Sequence, residues 1–196
     1  MNIPNSKAKR ICQLPKVSTI SGRSSSITNA FINAILPVYR PSLDEELEAL
    51  AILEMTPTSI RCAYCGDRHT EWDHLRPIIR GKQATKFITE IANLVPSCGK
   101  CNQSKGGTRW KDWMLGPAAQ SPKTRGVENI EDKVRVLEMY EKWRKPVEID
   151  FEAVIESRLW EEHQENLRKV LALLQESQVL AKQIRILAES SLRQSA

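Results

Sequence analysis

Two Cys-x-x-Cys pairs constrain this chain more than any other feature: Cys62 with Cys65 in RCAYCGD, and Cys98 with Cys101 in PSCGKCN. A tight turn aims both sulfurs of such a pair inward, and two pairs supply the four ligands of a tetrahedral, all-cysteine zinc site. Gly66 and Gly99 provide the small residue that each turn favours. A redox dithiol, the other use of a Cys-x-x-Cys pair, belongs at a helix start within a βαβ pattern, and no such pattern accompanies either pair. The pairs stand 32 residues apart, more than a zinc ribbon needs, so a sizeable element is looped out between them. One structural zinc per chain, worth on the order of 10 kcal/mol to folding, holds such a short segment rigid. Cys12, the fifth cysteine, is left as a free thiol.

Charge gathers around the same segment. Residues 58–126 carry 12 Lys/Arg against 5 Asp/Glu, whereas residues 1–57 are nearly balanced and residues 127–196 carry an acidic excess. A local basic excess draws in polyanions through steering and counterion release; a solvated lysine-rich surface is the plainer alternative. No apolar run approaches the ~20 residues of a membrane span, and MNIPNSKAKRICQLPK lacks the apolar centre of a signal peptide. The expectation is a cytoplasmic protein without a membrane partner, where disulfides are disfavoured and cysteines are free to hold metal.

The flanks read as helices. Residues 1–25 are polar and serine-rich, a loose arm. ITNAFINAIL, 27–36, is a short helix stopped by Pro37. Ser42 with Glu45 makes a capping box for the next helix, whose Leu43, Leu47, Leu50 and Leu53 or Met55 recur at helical spacing before Pro57. GPAAQSPKTRG, 116–126, is a loop, and residues 128–145 form an amphipathic helix stopped by Pro146. From about Asp150 to Leu192 there is neither Pro nor Gly, which predicts one long helix or two with a break. Leu159, Val170, Leu173, Leu180, Ile184 and Leu187 alternate at spacings of three and four, with His163, Asn166 and Ser177 interrupting the seam. Such a helix needs a partner: a second copy of the chain, giving a homodimer, or the two N-terminal helices.

Between the cysteine pairs stand EWDHLRPI, the basic insert RGKQATKFITEI, and ANLVPSCGKCNQSKGG. Asp73 and His74 are adjacent, in a chain with only 3 histidines. Alone, the pair would be an ordinary polar interruption of a half-buried strand. The ordered series Asp-His, Asn-Leu-Val-Pro and Cys-x-x-Cys-Asn-x-x-Lys-Gly inside a zinc frame, over residues 60–115, resembles the HNH endonuclease family of ββα-metal nucleases. The resemblance implies His74 as general base, Asp73 as a ligand of a catalytic divalent cation, and Asn93 as the residue that fixes the loop and orients the histidine. Asn102 stands where a last histidine often stands, a His-Asn-Asn variant, and is the implied second metal ligand. Lys105 matches a basic residue expected at phosphate. The fold class is then α+β and mostly helical: a zinc-bound ββα finger at 58–116, an N-terminal arm with helices at 1–57, and a C-terminal helical region at 117–196. Strands are expected near 70–78 and 91–96, with the motif helix starting near Asn102.

The chemistry agrees with those residue types. An imidazole titrating near 6.5 can take a proton from water at neutral pH, a contribution of ~10²–10⁴ in rate. A hard cation, Mg²⁺ or Mn²⁺, takes oxygen ligands, and a carboxylate plus an amide leave positions open for phosphate and water. Adjacent strand residues point to opposite faces, so Asp73 and His74 must sit where the strand ends or bends. Arg76, Arg80, Lys82, Lys86, Lys100, Lys105, Arg109 and Lys111 cluster around the motif, and at least three are expected to meet phosphates. Trp110 and Trp113 fit helix packing better than base stacking; His69 and His163 read as turn and helix residues. The sequence therefore points to a metal-dependent endonuclease acting on duplex DNA, of restriction or other antiviral defence type. A ribonuclease or toxin, the nuclease subunit of a defence assembly, and a non-catalytic zinc module are the rival readings.

Overall fold

The computed structural model describes residues 15–194; Cys12 and most of the polar arm lie outside them. The first helix, α1 (Ser24–Ile35), follows a single 3₁₀ turn at Ser21–Arg23 and so starts earlier than its apolar pattern indicates. α2 (Leu43–Ile52) begins at the expected capping box: Glu45 N–H donates to Ser42 Oγ (3.3 Å) while Glu45 Oε2 accepts from Ser42 N–H (2.9 Å). Next come β1 (Glu71–His74), a hairpin of β2 (Ile79–Arg80) and β3 (Gln83–Ala84), a 3₁₀ turn at Ile91–Asn93, and β4 (Leu94–Ser97). The rest is helical: α3 (Gly99–Lys105), α4 (Trp110–Met114), α5 (Ile130–Trp143), α6 (Phe151–Val154) and α7 (Ser157–Gln194). The architecture is α+β and mostly helical, as read from the sequence.

β1 and β4 are shorter than expected and pair antiparallel, with Asp73 opposite Val95 and His74 opposite Leu94. β1 ends at the Asp73–His74 pair, where a strand end or bend is expected, and the chain turns through Pro77 into a hairpin that no sequence signal announces. α3 starts at Gly99, not near Asn102. Cys98 is its extended N-cap, and Asn102 N–H donates to the Cys98 carbonyl (3.0 Å), which closes the first turn. The long C-terminal stretch breaks where Ile155 turns extended (φ −100°, ψ 141°), so α6 and α7 are separate helices.

The main core joins the cysteine pairs to β1, β4 and three helices: Tyr64, Leu75, Val95, Trp110, Trp113, Met114, Leu137 and Tyr140 are all buried together. Tyr140 of α5 donates to the Leu94 carbonyl (2.8 Å) and also contacts the Ile91 carbonyl, pinning the start of β4. A second cluster, Leu36, Ile78 and Phe151, carries α1 and α7. α1 lies along α7: Phe31 meets the His163 ring at 5.4 Å, and Ile20 N–H donates to Gln178 (2.7 Å). Intrachain packing thus covers one part of the long helix, while Leu173, Leu180, Ile184 and Leu187 stay exposed.

Candidate active site

The cysteines build the frame. Gly66 N–H donates to the Cys62 carbonyl (2.8 Å) and sits at φ +78°, where a side chain is strained. Ala63 N–H donates to the Pro96 carbonyl (2.8 Å), which ties the first pair to β4 just before Cys98. All four sulfurs lie within 4.8 Å of one another, and Cys65 and Cys98 are 3.7 Å apart. A tetrahedron of Zn–S bonds of ~2.3 Å has sulfur–sulfur edges of about 3.8 Å, so these residues fit a zinc ion. Hydrogen bonds from Cys101 and Cys65 pull the Cys62 thiol down to about 3, and the hydrogen bonds of Cys101 with Cys62 and Cys65 push Cys101 up. Thiols this close cannot all ionise without a cation among them. Arg125 Nη2 also donates to Cys101 Sγ (3.3 Å), from a loop that carries no motif.

α3 lies across β1 and meets it in two rungs. Strand alternation puts Glu71 and Asp73 on one face, and helical spacing puts Asn102 and Lys105 on another. Asn102 Nδ2 donates to Glu71 Oε2 (2.8 Å). Lys105 Nζ pairs with Asp73 Oδ2 (3.2 Å), and Tyr64 donates to the same oxygen (2.6 Å). Asp73 is 6% exposed and Lys105 only 1%. Burial pushes the Asp73 carboxyl up and the Lys105 ammonium down, each opposed by the other's charge. Lys105 also donates to the carbonyls of His74 (3.0 Å) and Gly106 (3.2 Å). Its ammonium, expected at phosphate, is instead spent on three protein acceptors.

His74 closes β1. Its Nε2 lies 2.8 Å from Thr89 Oγ1, and burial, together with the Lys105 charge, pushes the imidazole down to about 4. Thr89 is itself fixed through its backbone, donating to the Pro37 carbonyl (3.2 Å) and accepting from Tyr39 (2.8 Å). Asn93 is 0% exposed. Its amide bridges the turn after His74, accepting from Arg76 N–H (2.8 Å) and donating to the carbonyls of Arg76 (3.1 Å) and Ile88 (3.3 Å).

Asp73, His74, Asn102 and Lys105 border one pocket of about 670 Å³. The hairpin, the Gly106–Thr108 turn and α1 complete its lining. Gly107 permits this closure, since a Cβ there would stand 2.7 Å from the Ile79 carbonyl oxygen. Asn93 lies behind the pocket rather than in its wall.

The basic residues separate into classes that sequence could not distinguish. Arg80 and Lys82 line the pocket. Lys100 is exposed on α3. Lys86 pairs with Asp150 (3.5 Å), Arg109 with Asp112 (3.9 Å), and Lys111 with Glu138. Arg76, expected at phosphate, is half-buried and engaged by the protein itself. Its guanidinium donates to the carbonyls of Ala92 (3.2 Å) and Glu141 (2.6 Å), with its side chain 14% exposed. Trp110 and Trp113 are buried in the core. His69 lies against the Ile60 carbonyl (3.2 Å), and His163 between the rings of Phe31 and Trp160. Sequence reasoning missed Tyr64, Glu71 and Thr89. Strand alternation from Asp73 points to Glu71; nothing local marks the other two.

Among proteins of known family, residues 62–108 match the family model described as HNH endonuclease. No curated protein and no solved structure matches the chain. The match spans both cysteine pairs, the Asp73–His74 pair, Asn93, Asn102 and Lys105. The convergence of the four sulfurs agrees with the zinc frame. The chain carries an HNH endonuclease domain.

Proposed function

We propose that the chain is a metal-dependent endonuclease that hydrolyses DNA, with a nuclease unit at 58–116 between the N-terminal segment 1–57 and the helical region 117–196. The supporting observation is that Asp73, His74 and Asn102 border one pocket, and each keeps a polar atom without a hydrogen-bond partner among the described residues. Tyr64 and Lys105 both engage Oδ2 of Asp73, which leaves Oδ1. Glu71 holds the amide nitrogen of Asn102, which leaves its oxygen. These two oxygens suit a hard cation, Mg²⁺ or Mn²⁺. When bound there, the cation supplies Lewis-acid polarisation of the phosphate and charge stabilisation at the leaving oxygen.

His74 takes the proton of the attacking water. In the tautomer whose Nε2–H donates to Thr89 Oγ1 the lone pair lies on Nδ1, and an imidazole held down near 4 is neutral at physiological pH. Asn93 fixes the turn that follows His74. Lys105 acts as a positioning residue, holding the Asp73 carboxylate and the His74 backbone. Arg80, Lys82 and Lys100 attract the polyanion. Lys82 sits at φ +67°, following Gly81 at φ +58° in a two-residue hairpin turn where Gly or Asn is ordinary. Tolerating that strain of roughly 1 kcal/mol supports a need for a cation at this rim. Lys86, Arg109 and Lys111 join the surface by exchanging weak exposed ion pairs for phosphate.

The finer reading is a cytoplasmic restriction or antiviral defence enzyme, self-associated through the exposed apolar stripe of α7 so that two pockets serve the two strands of a duplex. Incubating the purified protein with duplex DNA, single-stranded DNA and structured RNA, in Mg²⁺ and in Mn²⁺, tests the proposal. Cleavage of duplex DNA is expected, with sequenced ends giving preference and stagger and light scattering giving twice the chain mass. Cleavage of RNA alone makes the chain a ribonuclease. Binding with no cleavage in either metal makes it a zinc module, and a monomer removes the α7 seam.

A further inference from the structure

We propose that α1 is a wall of the nucleic-acid groove, with Ser25, Thr28 and Asn29 contacting the substrate strand beside the scissile bond. This deepens the nuclease reading and rests on it. α1 lies outside the segment that carries the family motif, yet it lines the same pocket as Asp73 and His74. Ser25, Asn29 and Asn33 fall at i, i+4 and i+8, one exposed stripe along the pocket. Thr28 stands beside that stripe, 2% exposed, and its hydroxyl has no hydrogen-bond partner among the described residues.

A buried hydroxyl without a partner destabilises the free protein, and native folds rarely keep one. Valine has the same shape and would remove the penalty. Thr28 borders the pocket, so a ligand there, or a water that the ligand displaces, is the partner left to complete the bond. Among the described residues, the side chains of Ser25 and Asn29 also lack partners, whereas Asn33 Nδ2 is spent on the Asn29 carbonyl (2.7 Å). The helix itself is firmly seated. Ile32 is buried beneath it, Phe31 rests on His163, and the segment after it bonds Thr89, the residue that holds His74. α1 thus presents neutral hydroxyl and amide donors at a fixed position relative to the base. Donors of this kind suit phosphate and sugar oxygens, which fix a strand's register without reading its sequence. Arg80 and Lys82 would supply attraction from the hairpin, and α1 would supply alignment.

The test measures binding of a short fluorescein-labelled DNA duplex and its single strand by anisotropy in Ca²⁺, together with melting temperature, for wild type, Thr28→Val and Asn29→Ala. Thr28→Val is expected to weaken binding about tenfold while its melting temperature stays level or rises. Asn29→Ala is expected to weaken binding with melting unchanged. Wild-type affinity in both variants overturns the proposal, as does a lower melting temperature for Thr28→Val with binding intact, which would make the hydroxyl structural. A wild type that binds but never cleaves in Mg²⁺ or Mn²⁺ defeats the nuclease reading alone, and a wild type that does not bind defeats both.

Discussion

Replacing His74 by alanine is expected to slow phosphodiester cleavage by ~10²–10⁴-fold while the protein keeps its zinc and its melting temperature. The expectation follows from where the ring sits. His74 is the last residue of β1, half-buried at the pocket, and among the described residues its side chain makes a single hydrogen bond, to Thr89. The contacts that hold the strand are independent of the ring. Its backbone carbonyl still accepts from Lys105, Leu75 N–H still donates to the Asn93 carbonyl (2.8 Å), and Leu75 and Val95 stay in the core. Truncation therefore removes the proton acceptor without removing the scaffold. Initial rates on the best substrate, read beside zinc content and a thermal melt, check this. A rate within a few-fold of wild type with the fold intact would remove His74 as the base.

Cys101→Ser, or removal of zinc with a strong chelator, is expected to unfold the centre of the protein. Cys101 is wholly buried among Tyr64, Trp110, Trp113 and Met114, so the sulfur cluster is part of the core. A structural zinc contributes on the order of 10 kcal/mol, comparable with the roughly 5–15 kcal/mol that separates a native domain from its unfolded chain. Besides the metal, the Ala63 bond to Pro96 and the packing of Tyr64 in the core with Val95 tie the first cysteine pair to β4. Once the clamp is lost, Tyr64 no longer holds Asp73, and α3 no longer holds Asn102 and Lys105 against β1. Loss of cooperative melting and of near-ultraviolet signal from the buried tryptophans is the expected readout. An unchanged melting curve in a zinc-free chain would contradict a structural role for the metal.

The parts of the site that the sequence discloses are those whose chemistry is local. Two cysteines three residues apart can pinch a metal wherever they fall, and the four sulfurs do converge. Asp73, His74 and Asn102 carry their meaning in a motif and border one pocket. What the sequence hides depends on pairings between distant residues. Arg76 reads as one more cation near the motif, yet its partner Glu141 lies 65 residues away and draws it inward. Lys105 reads as a phosphate contact, but its burial follows from α3 packing on β1, a tertiary event. Thr89 meets His74 across the insert, and only the register of the loop brings them together. The early start of α3 is similar, because it depends on the Cys98 carbonyl rather than on helix propensity. The long C-terminal helix was half legible: its seam residue His163 turns toward α1, while the apolar positions further along remain uncovered.

Asp73 and Asn102 would hold the proposed divalent cation in the pocket that His74 also borders. With only 3 histidines present, Mn²⁺ titration followed by NMR of the ring protons tests this directly. The His74 signals should broaden at substoichiometric Mn²⁺, before those of His69 and His163, and the effect should vanish in Asn102→Ala. A His74 resonance that stays sharp, or broadens no sooner than the other two, would contradict the account.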